Sequence, residues 1–137
     1  MPESTFRGGC LCGAVRYEIN GAPLRFYHCH CERCRKASGT GHATNLMVKA
    51  DKIEWLQGEA RLNRYKVPEA ERFTNCFCNI CGGRMPRYIP ELDYVMIPAG
   101  SLDHDPGITP QARIFWDSRA GWSCADEALP VFAEYAK

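Results

Sequence analysis

Long hydrophobic runs and an imbalance of charge are both missing from this 137-residue sequence. Hydrophobic residues make up 45% of the chain, but the uncharged apolar stretches fall far short of the about 20 residues that a membrane-spanning helix needs. The 17 lysines and arginines are matched by 16 aspartates and glutamates, so no strong field attracts a polyanion. The composition excludes a transmembrane protein, and we expect neither a nucleic-acid partner nor a membrane partner.

The start of the chain, MPESTFRGG, also lacks the basic residues and the apolar run of about 7–15 residues that a secretory signal contains. We therefore expect a cytoplasmic protein. The length matches one domain in the usual range of roughly 100–200 residues. Residues 1–137 are accordingly expected to form a single domain in which every motif shares one core.

Patterns typical of long helices are absent as well, and nine prolines spread along the chain leave little room for them. Short β-prone runs separated by Gly, Pro and Asp predict strands at residues 14–19, 24–28, 43–48, 52–56, 61–67, 71–76, 94–97 and 112–116. Asn20-Gly21 predicts a turn after the first of these strands. Helices are expected only at residues 31–38 and 129–135. This pattern is typical of an all-β fold, a sandwich or an open barrel, with short helices.

Cysteine, by contrast, is abundant: eight of the nine cysteines fall in three tight clusters. The clusters are Cys10-Leu-Cys12, Cys29-His-Cys31-Glu-Arg-Cys34 and Cys76-Phe-Cys78-Asn-Ile-Cys81, and Cys124 stands alone. Disulfides fit this pattern poorly, because a bridge within Cys-x-Cys closes a small strained ring and an odd total leaves one thiol unpaired. Thiolates spaced by one or two residues at a turn can instead converge on one tetrahedral metal ion. The spacing therefore favours metal sites, and zinc is the default for all-thiolate ligands without a redox role, with an iron–sulfur centre as the alternative.

Spacing alone leaves the grouping of the cysteines open, because Cys-x-Cys-x-x-Cys occurs twice. One grouping closes a four-ligand site from the first and third clusters and leaves an open trio: Cys10, Cys12, Cys78 and Cys81 against Cys29, Cys31 and Cys34. The other grouping joins the first pair to Cys31 and Cys34 and leaves the third cluster open. Glycines flank Cys10-Leu-Cys12 and follow Cys81, as the tight turns of a closed site require, and they favour the first grouping.

A catalytic zinc keeps one position open for water or substrate, whereas a structural zinc has four protein ligands. The alternative for the trio is therefore a second structural site, completed by a fourth ligand from His28, His30, Cys76 or Cys124. Basic side chains lie within and directly after the trio, namely Arg33, Arg35 and Lys36. They are expected either to form a solvated edge or to attract the carboxylates of a glutathione-like thiol.

In their order and separation, the motifs from about Gly8 to Tyr135 resemble one known family. They are Gly-Gly-Cys10-Leu-Cys12-Gly, Cys29-His-Cys31-x-x-Cys34-Arg-Lys-x-Ser-Gly39, Phe77-Cys78-x-x-Cys81-Gly, Gly100-Ser-Leu-Asp103, the segment 115–122 and Leu129-Pro-x-Phe132. The family is that of the glutathione-dependent formaldehyde-activating enzymes, also described as the centromere protein V/GFA domain. Two residues depart from its pattern: Cys76 adds a thiol, and Arg113 stands where members often carry histidine.

The resemblance implies a Mss4-like β-sandwich or tent with zinc knuckles and two Zn²⁺ ions per chain. The closed site would use Cys10, Cys12, Cys78 and Cys81, and a catalytic zinc would lie on Cys29, Cys31 and Cys34. The implied reaction joins a glutathione-like thiol to formaldehyde or a related aldehyde as an S-hydroxymethyl adduct, in the carbon–sulfur lyase class. A non-enzymatic zinc-binding module for protein interaction is the alternative, because fold and metal pattern do not fix function. A pocket beside the trio would favour the enzyme, and an exposed apolar patch elsewhere would favour the module.

Overall fold

Nine strands and one α-helix make up the regular structure of the residues that the computed structural model describes, which are 3–124 and 128–136. The strands are β1 Ser4–Gly9, β2 Arg16–Cys29, β3 Ala43–Lys49, β4 Glu54–Gln57, β5 Leu62–Lys66, β6 Thr74–Cys78, β7 Arg87–Ile89, β8 Tyr94–Pro98 and β9 Ala112–Ile114. The helix is α1 Glu32–Ser38, and short 3-10 turns lie at Glu59–Arg61, Ala99–Ser101 and Trp116–Ser118. The all-β expectation is confirmed. Within these residues no helix has both the length and the apolar character that crossing a membrane demands.

Strand β2 organises the larger, seven-stranded sheet. The strand order is β1-β2-β3-β8-β7, and β4 and β9 also pair with β2. The first half of β2 pairs with β1 and β4, and the second half pairs with β3 and, in parallel, with β9. Because β2 exchanges partners along its length and its register shifts between Pro23 and Arg25, the sheet curls into a half-barrel. Strands β5 and β6 form a separate two-stranded sheet.

The turn predicted at Asn20-Gly21 is wrong, because β2 continues straight through it. Asn20 pairs with Thr5 and Gly21 pairs with Ser4 in the β1–β2 ladder. A Cβ atom at Gly21 would overlap the carbonyl oxygen of Lys49 in β3. The glycine therefore allows two backbones to approach closely, which is a second reason for glycine in a strand besides a turn.

The core lies on the face of the sheet that the alternation of residues 14–19 predicts. Val15, Tyr17 and Ile19 are fully buried there. They pack against apolar side chains from β1, β3 and β8, namely Phe6, Leu46, Val48, Val95 and Ile97. The hydroxyl of Tyr17 is hydrogen-bonded to Ser101 Oγ at 2.7 Å, so its polar end is satisfied inside the core.

The helix predicted at residues 31–38 is confirmed as α1. Cys31 is its N-cap, and Gly39 ends it in the left-handed conformation with φ 71°, its N–H donating to the carbonyl of Arg35. The helix predicted at residues 129–135 is wrong, because residues 128–136 contain no helix. So short a helix needs a buried face to be stable, whereas Val131 and Tyr135 are 93% and 84% exposed.

Candidate metal centres

Two turns from distant parts of the chain bring four cysteine sulfurs together, and this group is called here the closed cluster. Cys10 and Cys12 lie in the turn between β1 and β2, while Cys78 ends β6 and Cys81 follows it. All four Sγ atoms lie within 4.8 Å of one another, with 3.7 Å between Cys10 and Cys12 and 3.9 Å between Cys12 and Cys78. A tetrahedral zinc with Zn–S bonds of about 2.3 Å places its sulfurs about 3.8 Å apart. The spacing of the sulfurs therefore fits a tetrahedral metal ion.

Backbone N–H groups point at the sulfurs of the closed cluster. Val15 donates to Cys10 at 3.2 Å, Ile80 to Cys78 at 3.4 Å and Gly83 to Cys81 at 3.4 Å. Two glycines with positive φ make these turns possible, Gly13 at 81° and Gly82 at 77°. The pKa of Cys81 is lowered to about 6, chiefly because the N–H of Gly83 favours its thiolate. The turn after β6 thus favours deprotonated sulfur at Cys81, which is the form that binds metal.

The second group, called here the open trio, lies where β2 meets α1. Cys29 is the last residue of β2, Cys31 is the N-cap of α1, and Cys34 lies in its first turn. Their Sγ atoms lie within 4.8 Å of one another, and Cys29 and Cys34 are buried while Cys31 is half-buried. The N–H of Cys34 donates to Cys31 Sγ at 3.3 Å. Both clusters could therefore hold a metal ion.

The thiols of the open trio share their protons. The pKa of Cys29 is lowered to about 6, chiefly because the Cys34 thiol donates a hydrogen bond to it, and the same bond raises the pKa of Cys34. Three thiolates this close repel one another strongly when partly buried. A bound cation removes that repulsion, so the donor set fits a soft divalent metal.

No fourth protein ligand completes the trio among residues 3–124 and 128–136. No His, Cys, Asp or Glu in these ranges brings a ligand atom within 4.8 Å of all three sulfurs. The four residues considered from the sequence are engaged elsewhere: His28 with Thr44, His30 against Trp116, Cys76 in the core and Cys124 with Arg113. The nine cysteines are all free thiols, so no disulfide competes for these sulfurs.

Three imidazoles form a histidine cluster behind the trio. The ring of His42 lies 4.1 Å from that of His28 and 5.0 Å from that of His30, between centroids. Burial lowers the pKa of all three, and nearby positive groups, Arg113 among them, add to the effect. They are therefore neutral near pH 7. His30 is fully buried, whereas His42 is half-buried and its Nδ1 lies 3.2 Å from Thr44 Oγ1.

Two grooves border the open trio. The first, called here the Arg84 groove, has a volume of about 330 Å³ and is lined in part by Ser38, His42, Ala43 and Arg84. Ala43, in the wall of this groove, also packs against Cys29 and Cys34. The second, the helix groove, has about 320 Å³ on another side of α1 and carries Arg33, Lys36 and Phe73, of which Phe73 also packs against the trio.

Sequence reasoning named the seven cysteines that the structure brings together, but it gave no role to Arg84 and interpreted His42 only as a structural residue or a neighbour of a metal ligand. His42 follows Gly41 without any motif, and Arg84 follows the glycines after Cys81. Their place beside the trio depends on the pairing of distant strands. The only available signal was the position of Arg84 directly behind a cysteine turn.

Comparison with known proteins gives the relatives of this fold and the family of the chain. A crystal structure of a Rhodobacter sphaeroides protein is similar in fold, with a TM-score of 0.57 and 19% sequence identity over 78% of this chain and 97% of that one. The family model described as glutathione-dependent formaldehyde-activating enzyme matches residues 5–118, a segment that contains both cysteine clusters and both grooves. The chain therefore belongs to the GFA family.

Proposed function

We propose that this protein is a zinc enzyme that joins a thiol, glutathione or one similar to it, to formaldehyde or a related aldehyde. The product is an S-hydroxymethyl adduct, and the reverse reaction places the enzyme in the carbon–sulfur lyase class. Two Zn²⁺ ions per chain are part of the proposal, a structural one in the closed cluster and a catalytic one in the open trio. We also place the protein in the cytoplasm, where reducing conditions keep its thiols free.

One observation carries the proposal: the open trio has three thiolate ligands and no fourth protein ligand in the described parts of the chain. Structural zinc sites are normally filled by four protein ligands, whereas catalytic sites keep one position for water or substrate. Zinc at this position would supply a positive charge that lowers the pKa of an incoming thiol and favours its thiolate. Membership of the GFA family supports the choice of glutathione and formaldehyde.

The reaction forms one C–S bond and transfers one proton from the thiol to the carbonyl oxygen. The thiolate sulfur attacks the carbonyl carbon, a C–S bond forms, and the π pair of the C=O bond moves to oxygen, which then takes a proton. Thiol and aldehyde thus combine with no other product. The grooves beside the trio hold the two reactants next to each other, and this proximity supplies much of the rate enhancement.

His42 is the residue that we propose to hold the transferred proton. Its Nδ1 faces Thr44 Oγ1, which is in turn 2.8 Å from His28 Nδ1. This leaves His42 Nε2 to donate or accept a proton, and His42 lines the Arg84 groove. His30 is the poorer candidate, because its ring is fully buried.

The proposal is tested by the rate at which glutathione and formaldehyde exchange with their adduct, measured by NMR against the uncatalysed rate. Wild-type protein should exceed that rate, and Cys31→Ser should return it to the uncatalysed value. Serine is itself a good N-cap, so α1 should persist while a metal ligand is lost. Cys124→Ser is the matched control, since Cys124 belongs to neither cluster, and it should keep the wild-type rate.

His42→Asn tests the proposed proton transfer separately. Asparagine keeps a polar partner for Thr44 but lacks Nε2, and we expect about 10²- to 10⁴-fold slower catalysis with an unchanged metal content.

A zinc-binding module for protein interaction is the second candidate, and one observation favours it. Leu11 and Ile80, in the turns of the closed cluster, are 87% and 57% exposed. Apolar side chains on neighbouring turns suit docking to another protein. A wild-type protein that retains two metals but leaves the condensation at its uncatalysed rate would favour this candidate over the enzyme.

A further inference from the structure

Arg84 carries a positive charge at the edge of the open trio without a carboxylate partner among the described residues. Its Nε donates to Asn75 Oδ1 at 2.8 Å, and no hydrogen bond or ion pair engages its two terminal nitrogens within residues 3–124 and 128–136. Arg7 and Arg16, by contrast, each contact a carboxylate within 2.8 Å. The terminal nitrogens of Arg84 are thus unpaired among these residues, and Arg84 lines the Arg84 groove.

The surroundings of Arg84 make an external anion favourable. Burial lowers the pKa of its guanidinium, and interaction with the Cys34 and Cys76 side chains acts in the opposite direction. A partly buried cation loses hydration, and a bidentate carboxylate restores both charge balance and hydrogen bonds. The neighbouring cysteines do not match the planar fork of arginine as a carboxylate does.

The closed cluster holds Arg84 in place. The N–H of Cys78 donates to the carbonyl of Gly83 at 3.0 Å, and the N–H of Met85 donates to the carbonyl of Cys76 at 2.8 Å. These bonds flank Arg84, which itself bridges to Phe77. The backbone of Arg84 is therefore anchored by the cysteine turn, and its side chain is held by the bond from Nε to Asn75 Oδ1.

We propose that Arg84 binds a carboxylate of the thiol substrate while the substrate sulfur lies at the open trio. The inference rests on the proposed function and names its specificity residue: the preferred thiol carries a carboxylate several bonds away from sulfur, as glutathione does. Two observations support this placement: Arg84 lies close enough to Cys34 to interact with it electrostatically, and it shares the wall of the Arg84 groove with Ala43, which packs on Cys29 and Cys34. The helix groove offers Arg33 and Lys36 as an alternative, but both are at the surface of α1, where an ion pair contributes little.

The experiment compares two ligands on two proteins by calorimetry, with zinc-loaded protein and no aldehyde present. Glutathione should bind wild-type protein about 10- to 100-fold more tightly than its diethyl ester, in which both carboxylates are blocked. Arg84→Gln should weaken glutathione binding by the same factor and should bind the two ligands equally. This cycle isolates the contact between the side chain and the carboxylate from general effects of the substitution.

Several results would overturn the inference. Equal binding of glutathione and its diester to wild-type protein would do so without any variant, which keeps the test valid even if Arg84→Gln fails to fold. A preference for glutathione that survives in Arg84→Gln but is lost in Arg33→Gln would move the carboxylate to the helix groove. Absence of any glutathione binding to wild-type protein would also contradict it.

Failure of the proposed enzyme activity can be distinguished from failure of the proposed role of Arg84. Wild-type protein that binds glutathione through Arg84 but leaves the condensation uncatalysed would refute the enzyme and keep the binding site. Catalysis with glutathione and with a thiol that has no carboxylate at the same kcat/KM would keep the enzyme and refute the role of Arg84.

Discussion

At the scale of single residues, Cys31 combines two tasks in one sulfur atom. It accepts the N–H of Cys34 as the N-cap of α1, and it belongs to the open trio. A ligand at a helix N-cap is held by the same hydrogen bond that starts the helix, so its position needs no further support. This is why serine, which can replace the cap but is a poor soft-metal ligand, separates the two tasks in the condensation assay.

Gly21 shows a residue whose role is purely steric. We expect Gly21→Ala to destabilise the protein by about 1–3 kcal/mol, because the added methyl group would push against the backbone of Lys49 in a packed sheet. Gly100→Ala is the control: no neighbouring atom lies within 4 Å of the place that its Cβ atom would take, and its effect should stay within about 0.5 kcal/mol. Urea unfolding of the three proteins measures both values. Equal stabilities of the two variants would show that β2 and β3 are not held as closely as described.

At the scale of elements, the closed cluster joins the turn before β2 to the end of β6. We expect Cys78→Ser to unfold or aggregate, because structural zinc sites in small peptides contribute on the order of 10–16 kcal/mol, as much as the whole stability of a typical domain, about 5–15 kcal/mol. Cys76→Ser is a matched control in the same strand, since it is also buried but belongs to neither cluster. It should lose only about 1–3 kcal/mol and stay folded. A soluble Cys78→Ser protein with wild-type circular dichroism and melting temperature would contradict a structural role for this cluster.

Most elements could be predicted because their signals are local. Each of the eight strands expected from alternation and breakers overlaps an observed strand, and α1 has its cap residues in the sequence itself. Strands β1 and β7 were missed: the glycines of β1 mask its pattern, and β7 has only three residues. The error at Asn20-Gly21 has the same origin, because a close approach between strands is invisible to a local pattern.

The residues of the candidate site also divide into those with a local sequence signal and those without one. The cysteines were found because ligand spacing within a turn is local, and their division into four and three is seen in the geometry. His42 and Arg84 were not recognised as groove residues. His42 lies just before β3 and Arg84 lies after β6, and these parts of the chain meet only in the folded sheet. Residues that position a substrate are more often placed by topology than by a motif.

At the scale of the whole molecule, β2 connects the two clusters. It starts just after the closed cluster and ends in the open trio, and β9 closes against its last residues in parallel. Arg84 lines the Arg84 groove and also a second groove, which Cys10 of the closed cluster lines. Loss of the closed cluster should therefore also displace Arg84.

The measurement that tests the account most directly follows metal content, condensation rate and circular dichroism together while a chelator is titrated into the reduced protein. We predict two metals per chain, of which one leaves first. Catalysis should disappear with that first metal while the β-sheet signal persists, because three thiolates hold a metal less tightly than four. The signal should then be lost with the second metal. A single metal per chain, release of both in one step, or catalysis that survives the first release would contradict the division into a closed and an open site.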